Sequence, residues 1–275
     1  CGNASSTTAT FTIEDTTAPS ITAENEVDVP CDEYDAETPY GDYAATDGCS
    51  AVTTTISDLY FSGSCEGSYQ RTYTATDACG NSSEFIQIIN LTDEEAPTFT
   101  IACPADVTLS ADENCGADTS AETHGLATFA DVADNCDADV ETTVTYEDAT
   151  ATPCDGSLVI TRTFTITGED NCENITTQSC TQTITVNDDT DPSITAPADV
   201  TVECDGMGNQ AALDAFLAGA TASDNCSDVT IEHDFTALSD DCGATGSATV
   251  TFTATDACGN SSSASATFTI EDTTA

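Results

Sequence analysis

The chain has 275 residues and a formal net charge of −48, because 50 Asp and Glu residues stand against only two basic residues, both arginine. This charge excludes nucleic acid and anionic membranes as partners, since both are polyanions that bind basic surfaces. No segment approaches the roughly 20 consecutive apolar residues of a membrane-spanning helix, so we expect no direct membrane insertion.

A ten-residue phrase, TATDACGNSS, marks repeats along the chain. It stands at residues 74–83 and again at residues 253–262, with a weaker copy, TGEDNCENIT, at residues 167–176. Each repeat ends in an acidic linker before a proline: IEDTTAP, LTDEEAP or VNDDTDP. Recurrence at this interval indicates a tandem array of small domains. We predict the last strand and linker of a preceding repeat in residues 1–18, then repeats at residues 19–96, 97–191 and 192–275.

Period-two segments of β-branched and aromatic residues fill each repeat. Examples are ITAENEVDV, YQRTYTATD and SEFIQIINL in the first repeat, LVITRTFTITG in the second and SATVTFTATD in the third. Short strands separated by Gly, Asp and Asn turns predict an all-β fold of tandem antiparallel immunoglobulin-like β-sandwiches. In the third repeat, the helical spacing of Leu213, Phe216 and Leu217 predicts one short helix within residues 209–220.

Fifteen cysteines without a CxxC pair predict a disulfide framework, and therefore a secreted protein or one on the extracellular cell surface. They form four classes by position: first (Cys31, Cys115, Cys204), second (Cys49, Cys136, Cys226), third (Cys65, Cys154, Cys242) and fourth (Cys1, Cys79, Cys172, Cys258).

If successive strands run up and down, the first and third classes lie at one pole of the sandwich, and the second and fourth at the other. Four cysteines allow three pairings, and this strand order alone decides between them. We predict Cys31–Cys65, Cys49–Cys79, Cys115–Cys154, Cys136–Cys172, Cys204–Cys242 and Cys226–Cys258 within repeats. The extra pair Cys103–Cys180 would join neighbouring edge strands, and Cys1 has no predicted partner in this sequence.

Aspartates flank the second- and fourth-class cysteines, at the pole where each acidic linker enters. Such an all-oxygen cluster suits Ca²⁺, which takes six to eight oxygen ligands, and does not suit zinc. The predicted calcium ligands are Glu14, Asp15, Asp47 and Asp77; Asp93, Glu94, Glu95, Asp134 and Asp170; and Asp188, Asp189, Asp191, Asp224 and Asp256. The alternative is a solvated acidic linker that keeps the chain soluble.

No catalytic motif is present. The two histidines, His124 and His233, lie in different repeats, and the sequence has no nucleophile elbow, phosphate loop or HExxH motif. We therefore expect no enzymatic activity. Sequons at Asn3, Asn81, Asn90, Asn174, Asn225 and Asn260 are candidates for N-glycans, and Thr16 and Thr273 for O-glycans. At the repeated turn, the alternative for the asparagine is a polar turn residue.

The phrases TATDACGNSS, TFTIEDTTAP and ASDNC resemble the hyalin-repeat-like, immunoglobulin-like arrays of large secreted bacterial surface proteins, including adhesins and gliding-associated proteins. The resemblance implies a sandwich module used as a stalk or filament, often with metal ions, and no enzymatic activity. The middle repeat departs from the pattern, with Asn-Cys-Glu at residues 171–173 in place of Ala-Cys-Gly.

We therefore predict a structural repeat region of a secreted cell-surface adhesin or extracellular filament, stiffened by disulfides and by Ca²⁺ at the domain junctions. Its partners would be further copies of the same repeat in tandem or in a fibre, together with surface glycans or other cells. The alternative is a calcium-dependent glycan-binding module that uses Tyr34, Tyr40 and Tyr43, which cluster only in the first repeat.

Overall fold

The computed structural model describes residues 1–63, 65–239 and 245–274. Strands dominate it, which confirms the predicted all-β fold with sandwich-like sheets. Within these residues, each repeat contributes six strands, arranged as one two-stranded and one four-stranded sheet. No helix in these residues is long and apolar enough to span a membrane.

The first repeat shows the arrangement that the others follow. Its strands are β1 (Ser20–Thr22), β2 (Glu26–Pro30), β3 (Ala44–Thr46), β4 (Thr53–Phe61), β5 (Ser68–Thr76) and β6 (Ser82–Thr92). β1 pairs with β3, and the larger sheet has the order β2, β6, β5, β4. β2 runs parallel to β6, whereas β4, β5 and β6 are antiparallel. A 3-10 turn, Cys31–Glu33, follows β2.

The second and third repeats follow the same order. The second has β7 (Thr98–Ala102), β8 (Val107–Ser110), α1 (Ala121–His124), β9 (Thr128–Ala133), β10 (Glu141–Ala151), β11 (Leu158–Glu169) and β12 (Ile175–Asn187). The third has β13 (Ser193–Thr195), β14 (Val200–Glu203), α2 (Gln210–Leu217), β15 (Thr221–Ser223), β16 (Thr230–His233), β17 (Gly246–Thr255) and β18 (Ser261–Glu271). The sheet orders are β10, β11, β12, β8 and β16, β17, β18, β14, and β8 and β14 run parallel to β12 and β18.

The chain forms two compact units. The first comprises Cys1–Thr100, Phe129–Thr143 and Ile166–Gln178, and the second comprises Ile101–Thr128, Val144–Thr165 and Ser179–Ala275. The division passes through the strands of the middle repeat. The residues that join the first repeat to the second therefore lie in the first unit, and those that join the second to the third lie in the second unit.

The predicted helix of the third repeat is α2, and it covers that repeat's core. Leu213 and Phe216 are buried on its inner face, as the helical spacing indicates. The ring of Phe216 lies 5.9 Å from that of Phe252 on β17 and 5.4 Å from that of Phe268 on β18. The alternating apolar residues of these two strands therefore form the surface on which the helix packs.

Both arginines are buried in ion pairs within repeats. Arg71 on β5 is fully buried, and its Nε and Nη2 donate to the two carboxylate oxygens of Asp58 at 2.9 and 2.8 Å. Arg162 makes the same bidentate contact with Asp148, at 2.8 Å for both bonds, and lies 4.7 Å from the ring of Tyr146.

Candidate cation site at the repeat junctions

The disulfides join successive repeats, in place of the predicted pairs within repeats. Cys31 bonds to Cys136 and Cys65 to Cys172 in the first unit, and Cys115 bonds to Cys226 and Cys154 to Cys258 in the second. Their Cα–Cα separations of 5.8, 4.7, 5.2 and 5.3 Å are normal for disulfides. These bonds replace the predicted Cys31–Cys65, Cys115–Cys154, Cys136–Cys172 and Cys226–Cys258.

The observed disulfides follow one rule, and this rule shows why the predicted pairs within repeats were wrong. A first-class cysteine bonds to the second class of the next repeat, and a third-class cysteine to the fourth class of the next repeat. The prediction assumed that two cysteines at one pole bond to each other. The first- and third-class cysteines lie instead against the pole of the adjoining repeat, where each bonds to a different cysteine of that repeat.

The other predicted disulfides agree with the structure in one case, disagree in another and lie outside the described residues in a third. Cys103 bonds to Cys180, which is the pairing that the sequence predicts. Cys49 and Cys79 are exposed and are not bonded to each other, contrary to the predicted Cys49–Cys79. The predicted Cys204–Cys242 involves Cys242, which lies outside the described residues. Cys1 is exposed.

The fourth-class cysteines Cys79, Cys172 and Cys258 each lie in a turn that an aspartate closes. In the first repeat, Asp77 Oδ1 accepts hydrogen bonds from the N–H groups of Cys79 and Asn81, both at 2.8 Å. Asn81 Nδ2 donates to Asp77 Oδ2 at 2.7 Å, and this bond lowers the pKa of Asp77. Asp170 and Asn174 in the second repeat, and Asp256 and Asn260 in the third, make the same three bonds.

The asparagine of each turn also holds the acidic linker. Nδ2 of Asn81, Asn174 and Asn260 donates to the backbone carbonyl of Asp15, Asp93 and Asp188 at 3.1, 3.2 and 3.0 Å. Each amide therefore donates both to its turn and to its linker. A glycan on Nδ2 would replace one of these two hydrogens.

The other candidate glycosylation sites have varied surroundings. Nδ2 of Asn90 donates to the carboxylates of Glu26 and Asp28, and Nδ2 of Asn225 contacts Cys226 Sγ at 2.9 Å. Asn3 and Thr16 are exposed, and Thr273 donates to the carboxylate of Glu203 through its N–H and its hydroxyl. Glycosylation at these positions stays a prediction.

Three aspartates meet at the junction of the first and second repeats. Asp93, Asp134 and Asp170 each place a carboxylate oxygen within 4.8 Å of the other two. Asp134 Oδ1 accepts from the N–H groups of Cys136 and Asp137 at 2.9 Å, which fixes its orientation. Asp93 Oδ2 and Asp134 Oδ2 are buried and accept no hydrogen bond. A buried carboxylate oxygen without a donor is costly, so these atoms point to a positively charged ligand.

The arrangement recurs at the other two linkers. Asp188 and Asp224 lie within 4.8 Å of each other and of Cys226 Sγ, and Asp188 Oδ2 and Asp224 Oδ1 are buried without a donor. At the first linker, Asp15 lies equally close to Asp47, and Asp15 Oδ2 also lacks a donor. We call these three groups the junction clusters.

Negative charge at the junction clusters is uncompensated. Burial raises the pKa of Asp93, and the charges of Asp134 and Asp170 raise it further. Burial raises the pKa of Asp188 in the same way, with added effects from Asp224 and Asp256. The ion pairs that the described residues form, Arg71–Asp58 and Arg162–Asp148, involve none of the cluster aspartates.

Two residues at the junction clusters, Glu66 and Gly156, were not predicted from the sequence. Glu66 follows Cys65 and brings a carboxylate oxygen within 4.8 Å of Asp93, and its pKa is raised by burial and by the neighbouring aspartates. Gly156 has a positive φ of 87°, and a Cβ there would lie 2.6 Å from Cys226 Cβ and 3.0 Å from Asp188 Oδ2. The positions after the third-class cysteines were the available signal, since Glu66-Gly67 and Asp155-Gly156 correspond.

The structure does not bring every predicted ligand into a cluster. Glu14, Glu94, Glu95 and Asp191 are exposed, and no junction cluster includes them. Asp189 is also exposed and accepts a hydrogen bond from Ser110 Oγ at 2.9 Å. Asp77 and Asp256 are buried beside their clusters, with their oxygens accepting hydrogen bonds within the turns.

The tyrosines of the glycan-binding alternative are half-buried and pack against other residues of the first repeat. Tyr34 stacks on Tyr69 with ring centroids 4.1 Å apart, and its hydroxyl donates to Asp58. Arg71 lies 5.0 Å from the ring of Tyr40. Tyr43 stacks on Tyr73 at 4.7 Å. These rings line the Arg71 ion pair and the core, which gives a structural reason for their restriction to this repeat.

No protein-family model matches the chain, and no curated protein sequence matches it either. Among solved structures, the protocadherin GammaB4 extracellular domain is 16% identical with a TM-score of 0.36, over 92% of this chain and 49% of that one. Mouse cadherin-23 EC22-24 is 15% identical with a TM-score of 0.34, over 93% and 99%. Drosophila N-cadherin EC1-4 is 14% identical with a TM-score of 0.29, over 93% and 76%. The chain spans about half the length of the protocadherin GammaB4 chain, and the resemblance to bacterial hyalin-repeat arrays stays a prediction.

Proposed function

We propose that this chain is a structural repeat region of an extracellular adhesin or filament, in which disulfides and bound Ca²⁺ fix each repeat to the next. The observation that carries the proposal is the recurrence of buried carboxylate oxygens without donors at all three linkers. A structural role needs the same junction at every repeat, and the same residue types supply it each time. No enzymatic activity is part of the proposal.

The donor set favours a hard divalent cation. The junction clusters offer carboxylate oxygens, and the nearby linkers supply backbone carbonyls, which are the ligands that Ca²⁺ takes at about 2.3–2.6 Å. At the second and third linkers, the nearby sulfurs of Cys136, Cys172 and Cys226 belong to disulfides, so they provide no thiolate for zinc. At the first linker, Cys49 is a thiol, and the charge of Asp15 raises its pKa, which disfavours a thiolate ligand. We therefore assign Ca²⁺ to Asp15 and Asp47, to Asp93, Asp134 and Asp170, and to Asp188 and Asp224, with carbonyls or water completing the coordination.

The disulfides support the proposed location and role. They are typical of proteins outside the cytosol. Each pair connects two repeats on either side of a linker, so two covalent bridges and one ion would restrict bending there. The glycan-binding alternative receives no such support, because the rings of Tyr34, Tyr40 and Tyr43 pack against Tyr69, Arg71 and Tyr73 of the same repeat.

Calcium titration of the full chain tests the proposal. Isothermal calorimetry should show Ca²⁺ binding in the range of about 10⁻⁴–10⁻³ M that is typical of extracellular modules. Saturating Ca²⁺ should raise the Tm, by mass action on the folded state, and narrow the distribution of chain dimensions in small-angle scattering. Mg²⁺ is the control, because it demands a tighter octahedral site and should act more weakly. Absence of calorimetric binding, with the same Tm in Ca²⁺ and in EDTA, would contradict the calcium assignment.

A further inference from the structure

Two exposed cysteines of the first repeat occupy positions that form disulfides in both other repeats. Cys49 belongs to the second class and Cys79 to the fourth, and neither bonds to another cysteine. Their equivalents Cys136 and Cys172 bond to the first repeat, and Cys226 and Cys258 bond to the second. The first repeat thus carries the two receiving cysteines of a junction, and neither forms a disulfide within the described residues.

The loops around these thiols already have the conformation of the bonded junctions. The N–H of Cys49 donates to Asp47 Oδ1 at 2.8 Å, and the N–H of Cys136 donates to Asp134 Oδ1 at 2.9 Å. The two loops also contact each other, since Ala78 N–H donates to Ser50 Oγ at 3.1 Å. Ala257 and Ser227 make the equivalent bond at 3.2 Å in the third repeat. Forming a junction here therefore requires no rearrangement of the receiving loops.

We propose that Cys49 and Cys79 receive a further repeat through two disulfide bonds. The partner is a β-sandwich repeat that presents a first-class and a third-class cysteine in the positions of Cys31 and Cys65. Cys49 pairs with the first-class cysteine and Cys79 with the third-class cysteine, as at the two observed junctions. This inference goes beyond the proposed function and is independent of calcium, because it depends on the cysteine positions alone.

The chemistry is the oxidation of four thiols to two disulfides. Each S–S bond forms as two S–H bonds break, with release of two protons and two electrons. One dioxygen molecule accepts the four electrons and four protons and yields two water molecules. Two disulfides of a thiol oxidoreductase, each reduced to a dithiol, accept them equally well.

Disulfide mapping of the native extracellular protein tests the proposal. Free thiols are alkylated, the protein is digested without reduction by a protease that cleaves at acidic residues, and cross-linked peptides are identified by mass spectrometry. We expect the Cys49 peptide linked to a first-class peptide and the Cys79 peptide linked to a third-class peptide. A Cys49–Cys79 cross-link, or alkylation of both residues, would overturn the proposal.

Two further measurements complete the test. Electrophoresis before and after reduction identifies the source of the partner, because reduction lowers the apparent mass only if the partner is a separate chain. In the secreting cell, Cys49→Ser with Cys79→Ser should remove both cross-linked peptides, whereas Cys1→Ser should leave both. Circular dichroism checks that the variants fold. Persistence of either cross-linked species in the double variant would show that it had been wrongly assigned to these cysteines and would count against the proposal.

Discussion

Asp188 and Asp189 are adjacent in the third linker, but only Asp188 places its carboxylate in a junction cluster. Asp188 is 5% exposed, and its Oδ2 has no donor. Asp189 is exposed and accepts a hydrogen bond from Ser110. The two residues therefore form a matched pair for separating a cation ligand from a solvated linker charge.

Asp188→Asn should change stability in opposite directions with and without calcium. In EDTA, the neutral amide removes a buried, unpaired charge, so the Tm should rise. In saturating Ca²⁺, the variant loses a charged ligand and should bind at least about tenfold more weakly, or about 1.4 kcal/mol. Asp189→Asn should change the Tm and the calcium affinity much less, because its charge acts on Asp188 only as a minor neighbour. Calorimetry and thermal unfolding in both buffers measure the effect, and a Tm shift of the same sign in both would contradict the assignment.

The calcium-free protein should become more stable on mild acidification. The raised pKa values of Asp93 and Asp188 mean that the folded state binds protons more readily than the unfolded chain at a pH just above the ordinary aspartate range. In EDTA, the Tm should therefore rise as the pH falls from about 7 to about 5 and approaches the ordinary aspartate value near 4. Saturating Ca²⁺ should reverse the slope, because protons compete with the ion for these carboxylates.

A double variant isolates this effect from general charge repulsion. Asp93→Asn combined with Asp188→Asn keeps nearly all of the chain's acidic residues but removes the two titrating groups. Its Tm in EDTA should depend less steeply on pH than that of the wild-type protein. Identical slopes for the two proteins would assign the pH dependence to the net charge as a whole.

Arg71→Val should destabilise the first repeat by about 3–5 kcal/mol, because it leaves the carboxylate of Asp58 buried without its partner. The third repeat shows how the pair is replaced by apolar residues. Val250 is buried at the position equivalent to Arg71. Phe235, five residues after Thr230 as Asp58 is five residues after Thr53, occupies the place of Asp58 and packs against the cluster that contains Val250. Adding Asp58→Phe should therefore recover much of the loss. Chemical denaturation measures both variants, and a double variant less stable than Arg71→Val alone would contradict this interpretation.

Removal of the Cys31–Cys136 bridge should weaken calcium binding at one junction only. The double variant Cys31→Ser with Cys136→Ser should cost about 2–4 kcal/mol and release the loop that orients Asp134. Calorimetry should then show one weakened class of sites. The control is Cys103→Ser with Cys180→Ser, which removes a disulfide that contributes to no junction cluster among the described residues. Equal loss of calcium affinity in both double variants would contradict the role assigned to the bridge.

The sequence pattern predicts the strands and the α2 helix because apolar periodicity is a local property. It also identifies Asp93, Asp134 and Asp188 as members of the acidic clusters at the linkers, since each recurs at a fixed place in its repeat. The partner of Cys31 was inaccessible, because pairing depends on how adjacent repeats meet, which no single repeat encodes. Glu66 and the close approach of Gly156 to Asp188 were missed for the same reason, since both belong to contacts made across a linker.

The paired disulfides also change what a protease can do to this chain. The linkers after the first and second repeats are each one of three covalent connections between two repeats, the other two being bridges such as Cys31–Cys136 and Cys65–Cys172. Hydrolysis of one peptide bond between Asp93 and Pro97 would therefore leave the repeats attached. A nicked chain would keep its full length and its mechanical continuity until it met a reductant.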